Sequence, residues 1–346
     1  MTTTDRLVAL SEQVADRGGT RREVGILGVG RAVPDRVLTN HDLEQMVDTS
    51  DEWIRSRTGI VERRIVPPEV ACSDLATEAS WKALESAGLG PDDIDAVIVG
   101  TVTPDTPFPS TACRVQARLG LHHVPSFDIS AACPGFLYGM VLARSLVHSG
   151  EARHVLVVGA EILSKIVNWK DRSTCVLFGD GAGAVIVGVP RGKSGLLAWT
   201  WGADGSLAHL LEQPAGGSRM PASHETVEKN LHTLHMNGNE VFRHAVRAMQ
   251  EAVLEVIEKA GIHPGEIDLF IPHQANTRIM EATARRAGIP LDKVYVTIQR
   301  YGNNSAASIP VAMADAVAEG RLRPGNLLLV ATFGAGFTWG AAIVRW

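Results

Sequence analysis

Cys133 is followed by Pro134 and Gly135, then by Phe136, Leu137, Met140 and Val141 at helical spacing. Proline starts a helix well, because its missing N–H falls where an amide would be unpaired anyway. The thiol is therefore expected at a helix N-terminus, where partial positive charge favours thiolate. Such a site lowers a cysteine pKa from ~8.5 into the range ~3.5–7.5. A small buried residue at a tight strand-to-helix junction would read the same way locally. Two more polar residues fall at ends of apolar segments: His273 after Pro272, and Asn303 after Gly302. Each alone is equally an ordinary turn residue. Together, Cys, His and Asn suit acyl transfer, in which a thiolate needs a nearby base or cation and an oriented donor. Cys72, Cys113 and Cys175 lack this context and read as packing.

The elements that must position these residues show an internal repeat. AGLGPDDIDAVIVG (Ala87–Gly100) and AGIHPGEIDLFIPH (Ala260–His273) align at an offset of 173 positions, half of the 346 residues. Each has a helix-ending glycine, a proline turn, an acidic residue and an apolar strand. The helices before them match as well, with Leu75, Ala79, Ala83 and Ala87 answering Ala248, Ala252, Val256 and Ala260. Val141–Gly150 pairs with Val311–Gly320, and Phe178–Val187 with Phe333–Val344. The chain thus reads as an N-terminal extension at 1–22, one α/β half at 23–195 and a second at 196–346. In such a duplication Cys133 and Asn303 occupy equivalent strand-to-helix positions, Ser126–Ile129 and Val294–Ile298 being the expected strands.

Composition removes other classes. Hydrophobic residues at 45% and charged residues at 21% describe a globular chain. The apolar runs are strand-length, so no membrane span is expected, and residues 1–22 carry no continuous apolar stretch for a secretory signal. With 33 basic and 38 acidic side chains, the net charge of −5 argues against nucleic-acid binding. Four cysteines without a CxxC pair imply free thiols and a cytoplasmic setting. Gly25-Ile-Leu-Gly28-Val-Gly30 lacks the third glycine of a dinucleotide fingerprint, and Pro34 stands where its helix should run. No metal-binding pattern appears.

Seven ordered stretches carry a family resemblance. They are DTSDEWIRSRTGI (Asp48–Ile60), SAACPGF (Ser130–Phe136), DRSTCVLFGDGAGA (Asp171–Ala184), NGNEVF (Asn237–Phe242), PHQAN (Pro272–Asn276), YGNNSAAS (Tyr301–Ser308) and FGAGFTWG (Phe333–Gly340). From Glu23 to Trp346 the chain closely resembles the β-ketoacyl-acyl carrier protein synthase III family, the initiating condensing enzymes of dissociated fatty-acid synthesis. The resemblance implies the duplicated αβαβα layered α/β sandwich of the thiolase superfamily and a homodimer. It also implies a Cys133-His273-Asn303 triad without cofactor or metal. Cys133 would take an acyl group from acyl-CoA; His273 and Asn303 would stabilise the enolate left when malonyl-acyl carrier protein loses CO₂. The backbone N–H groups of Cys133 and Ala335 would form the oxyanion hole, provided Ala335, where many relatives have glycine, does not need a positive φ.

By matching position, Trp53, Arg57 and Arg172 would hold the adenine and phosphate end of CoA. Gly238, Asn239, Phe242 and Asn276 would line the pantetheine tunnel, and Phe108 would reach the partner subunit's acyl pocket. Arg243, Arg278, Arg285 and Arg286 would meet the acidic carrier protein, although for the last two a plain solvated helix face reads equally. The alternative keeps the fold and changes the pathway: a specialised-metabolism relative that loads an unusual polyketide starter or joins acyl chains. A hydroxymethylglutaryl-CoA synthase needs an acid/base glutamate near the cysteine, and Glu161 is expected in a strand-end segment instead. A non-catalytic acyl-CoA-binding module would predict a degraded triad.

Overall fold

The computed structural model describes residues 23–190, 192 and 194–346, so the extension at 1–22 lies outside the described residues. Along the chain come β1 (Gly25–Ala32), α1 (Asp51–Thr58), α2 (Cys72–Ala87), β2 (Ala96–Gly100), α3 (Thr111–Arg118), β3 (Ser126–Ile129), α4 (Gly135–Ser149), β4 (His154–Glu161) and β5 (Gly181–Gly188). There follow β6 (Gly195–Ala203), α5 (Gly238–Ala260), β7 (Leu269–Pro272), α6 (Thr277–Arg286), α7 (Ser308–Ala318), β8 (Leu327–Gly334) and β9 (Thr338–Arg345). One sheet has the order β1-β5-β4-β2-β3 and the other β6-β9-β8-β7, so the same winding occurs twice.

Burial explains the layering. Strands β2, β4, β5 and β8 are apolar on both faces, and each sheet must therefore be covered twice. Helices α2 and α3 cover the outer face of the first sheet, and α5, with α6 against it, covers the second. Between the sheets lie α4 and α7, whose Phe136, Leu137, Met140, Ile309, Ala312 and Met313 form one core with strand residues of both sheets. This is an αβαβα sandwich. The 3.6-residue periodicity seen in α2 and α5 corresponds to their buried faces, Leu75, Ala79 and Ala83 in one and Ala252 and Val256 in the other. The glycines of β1 are packing glycines: a Cβ at Gly28 would lie 2.5 Å from the Ala83 carbonyl oxygen of α2.

One expected element differs. Val294–Ile298 is not a strand: Val294 makes a single parallel bridge to Phe270, and Tyr295 N–H donates to the Phe270 carbonyl (2.8 Å). The Gln274 side chain then accepts from the N–H groups of Thr297 (2.8 Å) and Ile298 (3.1 Å). It thereby diverts the chain into the short helix Ile298–Tyr301. Among the described residues no helix is long and apolar enough to cross a membrane.

Candidate active site

Cys133, His273, Asn303 and Gly334 line one cavity of about 210 Å³, although three come from separate connections and Gly334 ends β8. Each stands at or just past the carboxyl end of a strand or in the segment leading into a central helix, where open α/β sheets collect ligands. Pro134 is the N-cap residue of α4 and Cys133 precedes it, with Gly135 N–H bonded to the Ala132 carbonyl (2.8 Å). Ala132 adopts φ +50°, a left-handed conformation that forces a sharp turn under the thiol. Gly334 backs onto this turn: a Cβ there would fall 2.8 Å from the Cys133 nitrogen and from Pro134 Cδ. Ala335 is not among the residues with positive φ. Its N–H is therefore kept without strain beside the cysteine.

The two polar partners are oriented by their own neighbours. Asn303 Oδ1 accepts from Ser305 N–H (2.8 Å), which leaves the Asn303 amide NH₂ as the group available to donate. His273 is buried, its Nδ1 lying 2.6 Å from Ser308 Oγ. Burial pushes its pKa down to about 3, so the ring is neutral at pH 7. Assigning the Ser308 hydroxyl as donor to Nδ1 places the ring proton on Nε2.

The thiol departs from the helix-end expectation. Cys133 is partly exposed as a residue, yet its sulfur is set deep enough that burial pushes its pKa up to about 12. Desolvation outweighs the helix terminus, and the resting side chain is a thiol. Glu161 stands at a strand end, as expected. It ends β4 and is fully buried, and its Oε1 accepts from Ser305 Oγ (3.0 Å), while Ser305 and Cys133 line the same cavity. A buried carboxyl group therefore bonds a residue of the cavity wall beside the nucleophile. It shows no signal in sequence because 28 residues separate the two in the chain and the link runs through position 305. Ser305 and Ser308 lie inside YGNNSAAS, and only the folded geometry separates their roles from packing.

The outer contacts cluster on α1, which meets the cavity wall through Asn276. Ser50 caps α1 by accepting from Trp53 N–H (3.1 Å), and Gly59 ends it with φ +83°. The Trp53 ring is flanked by the guanidinium carbons of Arg57 and Arg172, each 5.2 Å from its centroid. Arg172 also donates to the Asp48 carbonyl (2.6 Å). Gly238, Phe242 and Asn276 line the cavity that holds Cys133, but Asn239 lines a separate, more open depression with Ser173, His209 and His235, which shares Met236 and Gly238 with it. The Asn276 amide is already engaged, donating to the Arg57 carbonyl (2.8 Å) and accepting from Arg278 N–H (2.9 Å). Residues the sequence did not single out, Val241, Ala245, Met249 and Ile279, make this wall apolar.

A second cavity of about 130 Å³ also borders Cys133, lined by Val102, Leu163, Ile166, Leu211 and Leu234. Phe108 is 86% exposed and lines neither of the two cavities beside Cys133. Arg243, Arg278, Arg285 and Arg286 are all exposed. Arg243 pairs with Glu240 and Arg285 with Glu281 (3.7 Å), whereas Arg278 stacks over Phe242 (5.4 Å). Among the described residues no group of three or more His, Cys, Asp or Glu side chains could hold a metal ion.

Comparison with known proteins identifies the family. The profile described as 3-oxoacyl-[acyl-carrier-protein] synthase III matches residues 127–205, and its C-terminal counterpart matches 257–346. The chain is 57% identical to the beta-ketoacyl-[acyl-carrier-protein] synthase III of Caldanaerobacter subterraneus subsp. tengcongensis, over 93% of this chain and 97% of that one. It is 55% identical to the protein of the same name from Symbiobacterium thermophilum, over 94% and 98%. The crystal structure of the Aquifex aeolicus 3-oxoacyl-[acyl-carrier-protein] synthase III superposes with a TM-score of 0.87 at 50% identity, covering 93% of this chain and all of that one.

Proposed function

The chain belongs to the 3-oxoacyl-[acyl-carrier-protein] synthase III family, and from that premise we propose that Cys133, His273 and Asn303 are its catalytic residues. The protein is a condensing acyltransferase that initiates fatty-acid synthesis; relatives at 50–57% identity carry that name, which does not favour the polyketide alternative. Cys133 attacks the thioester of an acyl-CoA, and the N–H groups of Cys133 and Ala335 hold the oxyanion. CoA departs, and malonyl-acyl carrier protein enters the same tunnel. His273 Nε2–H and the Asn303 NH₂ donate to the thioester oxygen as CO₂ leaves, and the resulting carbanion equivalent attacks the acyl-cysteine. The product is a 3-oxoacyl-acyl carrier protein. The neutral imidazole suits this role, since a donor that keeps its proton stabilises an enolate without quenching it. The observation that carries the reading is the convergence of these three side chains on one cavity with a donor face available from Asn303 and His273.

In the same reading, Trp53, Arg57 and Arg172 bind the nucleotide end of CoA, with the cluster about the Trp53 ring as support. Gly238, Phe242 and Asn276 line the pantetheine path, with Asn239 in the adjoining depression. The acyl chain extends past Cys133 into the second, apolar cavity. A homodimer is supported by β3, an edge strand with Phe127 exposed, and by the exposed Phe108, which would otherwise leave a large ring in water. Arg278 with Arg243, Arg285 and Arg286 receives the carrier protein. The repeated strand order supports a division close to 195/196, β6 itself beginning at Gly195, and the four free thiols support a cytoplasmic setting. Intact-mass measurement after incubation with a panel of acyl-CoAs tests the assignment. One acyl group should appear on wild type and none on Cys133→Ala with an unchanged circular dichroism spectrum. Retained acylation of the variant, mapped to Cys113 or Cys175, would overturn it.

A further inference from the structure

Resting on that assignment of Cys133 as nucleophile, we propose that Glu161 accepts the thiol proton through the hydroxyl of Ser305 and returns it when the acyl group leaves. Something must accept this proton. The thiol is protonated at rest, since burial pushes it up to about 12. His273 is a poor acceptor: burial holds its ring pKa at about 3, and Nδ1 is already bonded to Ser308.

Glu161 has what His273 lacks. Its carboxylate accepts from Thr103 Oγ1 (2.6 Å), Ser305 Oγ (3.0 Å), Val102 N–H (3.2 Å) and Thr101 Oγ1 (3.3 Å). None of these partners is a cation. A fully buried carboxyl without a cation is costly to keep ionised, and burial raises it to about 7, close to the working pH of a general base. Ser305 is held at φ +47°, a conformation unusual outside glycine. From there its N–H orients Asn303 and its hydroxyl bonds Glu161 Oε1, and Ser305 shares with Cys133 the lining of one cavity.

The groups packed around Glu161 leave it free to titrate. Cys72 of α2 is fully buried with its thiol held well above the ordinary range, and its sulfur donates to the Ala160 carbonyl. Asp180, preceding β5, is engaged by Val66 N–H and by Ser164. Asp105 is bonded to Ser73, and Asp128 to the N–H groups of Thr111 and Ala112. None of these contacts the carboxyl group of Glu161.

The step balances as follows. The Cys133 S–H bond breaks as its proton passes to Ser305 Oγ, while the Ser305 proton passes to Glu161 Oε1. The electron pair left on sulfur forms the bond to the thioester carbonyl. Because the thiol titrates above the carboxyl, transfer is completed only as the sulfur attacks. CoA leaves as a thiolate and takes a proton from water. Glu161 remains neutral through the acyl-enzyme and presents no buried anion to the incoming malonyl carboxylate. When condensation expels the Cys133 thiolate, the proton returns by the same path.

The pH dependence of Cys133 acylation by acyl-CoA, followed by intact mass under pseudo-first-order conditions, tests the proposal. Wild type should show a rise with an inflection near pH 7, where Glu161 ionises. Glu161→Gln should lose the inflection and about 10²-fold in rate at pH 8. Ser305→Gly, which suits the positive φ and removes the hydroxyl, should do the same even with Glu161 present. The double variant should lose no more than either single, as expected of residues that act as a unit. An inflection near pH 7 surviving in either variant, or a rate at pH 8 within threefold of wild type, overturns the relay. Should Glu161→Gln not fold, Ser305→Gly alone decides. Wild type that is not acylated on Cys133 would overturn the functional reading instead.

Discussion

Replacing Gly334 by alanine tests whether the β8–β9 turn holds the oxyanion donors against the nucleophile. The new Cβ would lie 2.8 Å from the Cys133 nitrogen, 2.8 Å from Pro134 Cδ and 3.0 Å from Cys133 Cβ. Non-bonded carbon contacts are optimal at about 3.5–4.0 Å, so the two loops must part by roughly half an ångström or more. Neither side yields easily. Gly334 is paired with Thr338 at the end of an unbroken ladder. The Thr338 hydroxyl lies 2.9 Å from both the Ala131 and the Ala335 carbonyls, to which it donates. On the other side Cys133 is fixed by the Ala132 turn and the α4 cap. Overpacking of this kind costs about 1–3 kcal/mol, against a typical total of about 5–15 kcal/mol. The variant should therefore fold and melt a few degrees lower. Productive geometry tolerates about 0.5 Å, so displacing the Ala335 N–H should cost most of one donor, about 10²-fold in rate. Acylation measured by intact mass over time, beside a thermal melt, gives both numbers. Gly205→Ala serves as control, because a Cβ there meets nothing within 4 Å. Acylation of Gly334→Ala within threefold of wild type would refute the close-approach argument.

Two further outcomes separate the half-reactions. His273→Ala and Asn303→Ala should each lose about 10²–10³-fold in decarboxylation of malonyl-acyl carrier protein, scored as CO₂ release, and much less in acylation; normal decarboxylation by either variant would remove its enolate-stabilising role. Arg278→Glu should slow use of malonyl-acyl carrier protein about 10-fold at low salt, with the difference shrinking as ionic strength rises. Arg285→Glu should do less, because Arg285 already faces Glu281. Equal loss in acylation from acyl-CoA would show that Arg278 serves the CoA site or the fold.

How much of this was legible in the sequence depends on whether a signal is periodic or positional. The duplicated sandwich was legible because packing repeats: the small-residue faces of α2 and α5 and the buried strands leave an amphipathic trace at two places in the chain. Cys133, His273 and Asn303 were legible because tight turns at strand ends demand particular neighbours, and those neighbours form recognisable stretches. Three things were not legible. Val294–Ile298 has the apolar character of a strand, but Gln274, more than 20 residues earlier, captures two of its N–H groups and bends it away. The cysteine's helix-end position predicts a lowered pKa only where water can reach the sulfur, and depth of burial is a property of the whole fold. Glu161 has a strand end's sequence and a site residue's surroundings. Its neighbours come from residues 101–103 on one side and 305 on the other. Only the pairing of β2 with β4, and the packing of the 305–307 turn on β4, bring them together. The same logic explains why Ser305 carries the left-handed backbone. A regular helical φ would turn its hydroxyl and its N–H elsewhere, so the left-handed backbone falls on the residue that must serve Asn303 and Glu161 at once.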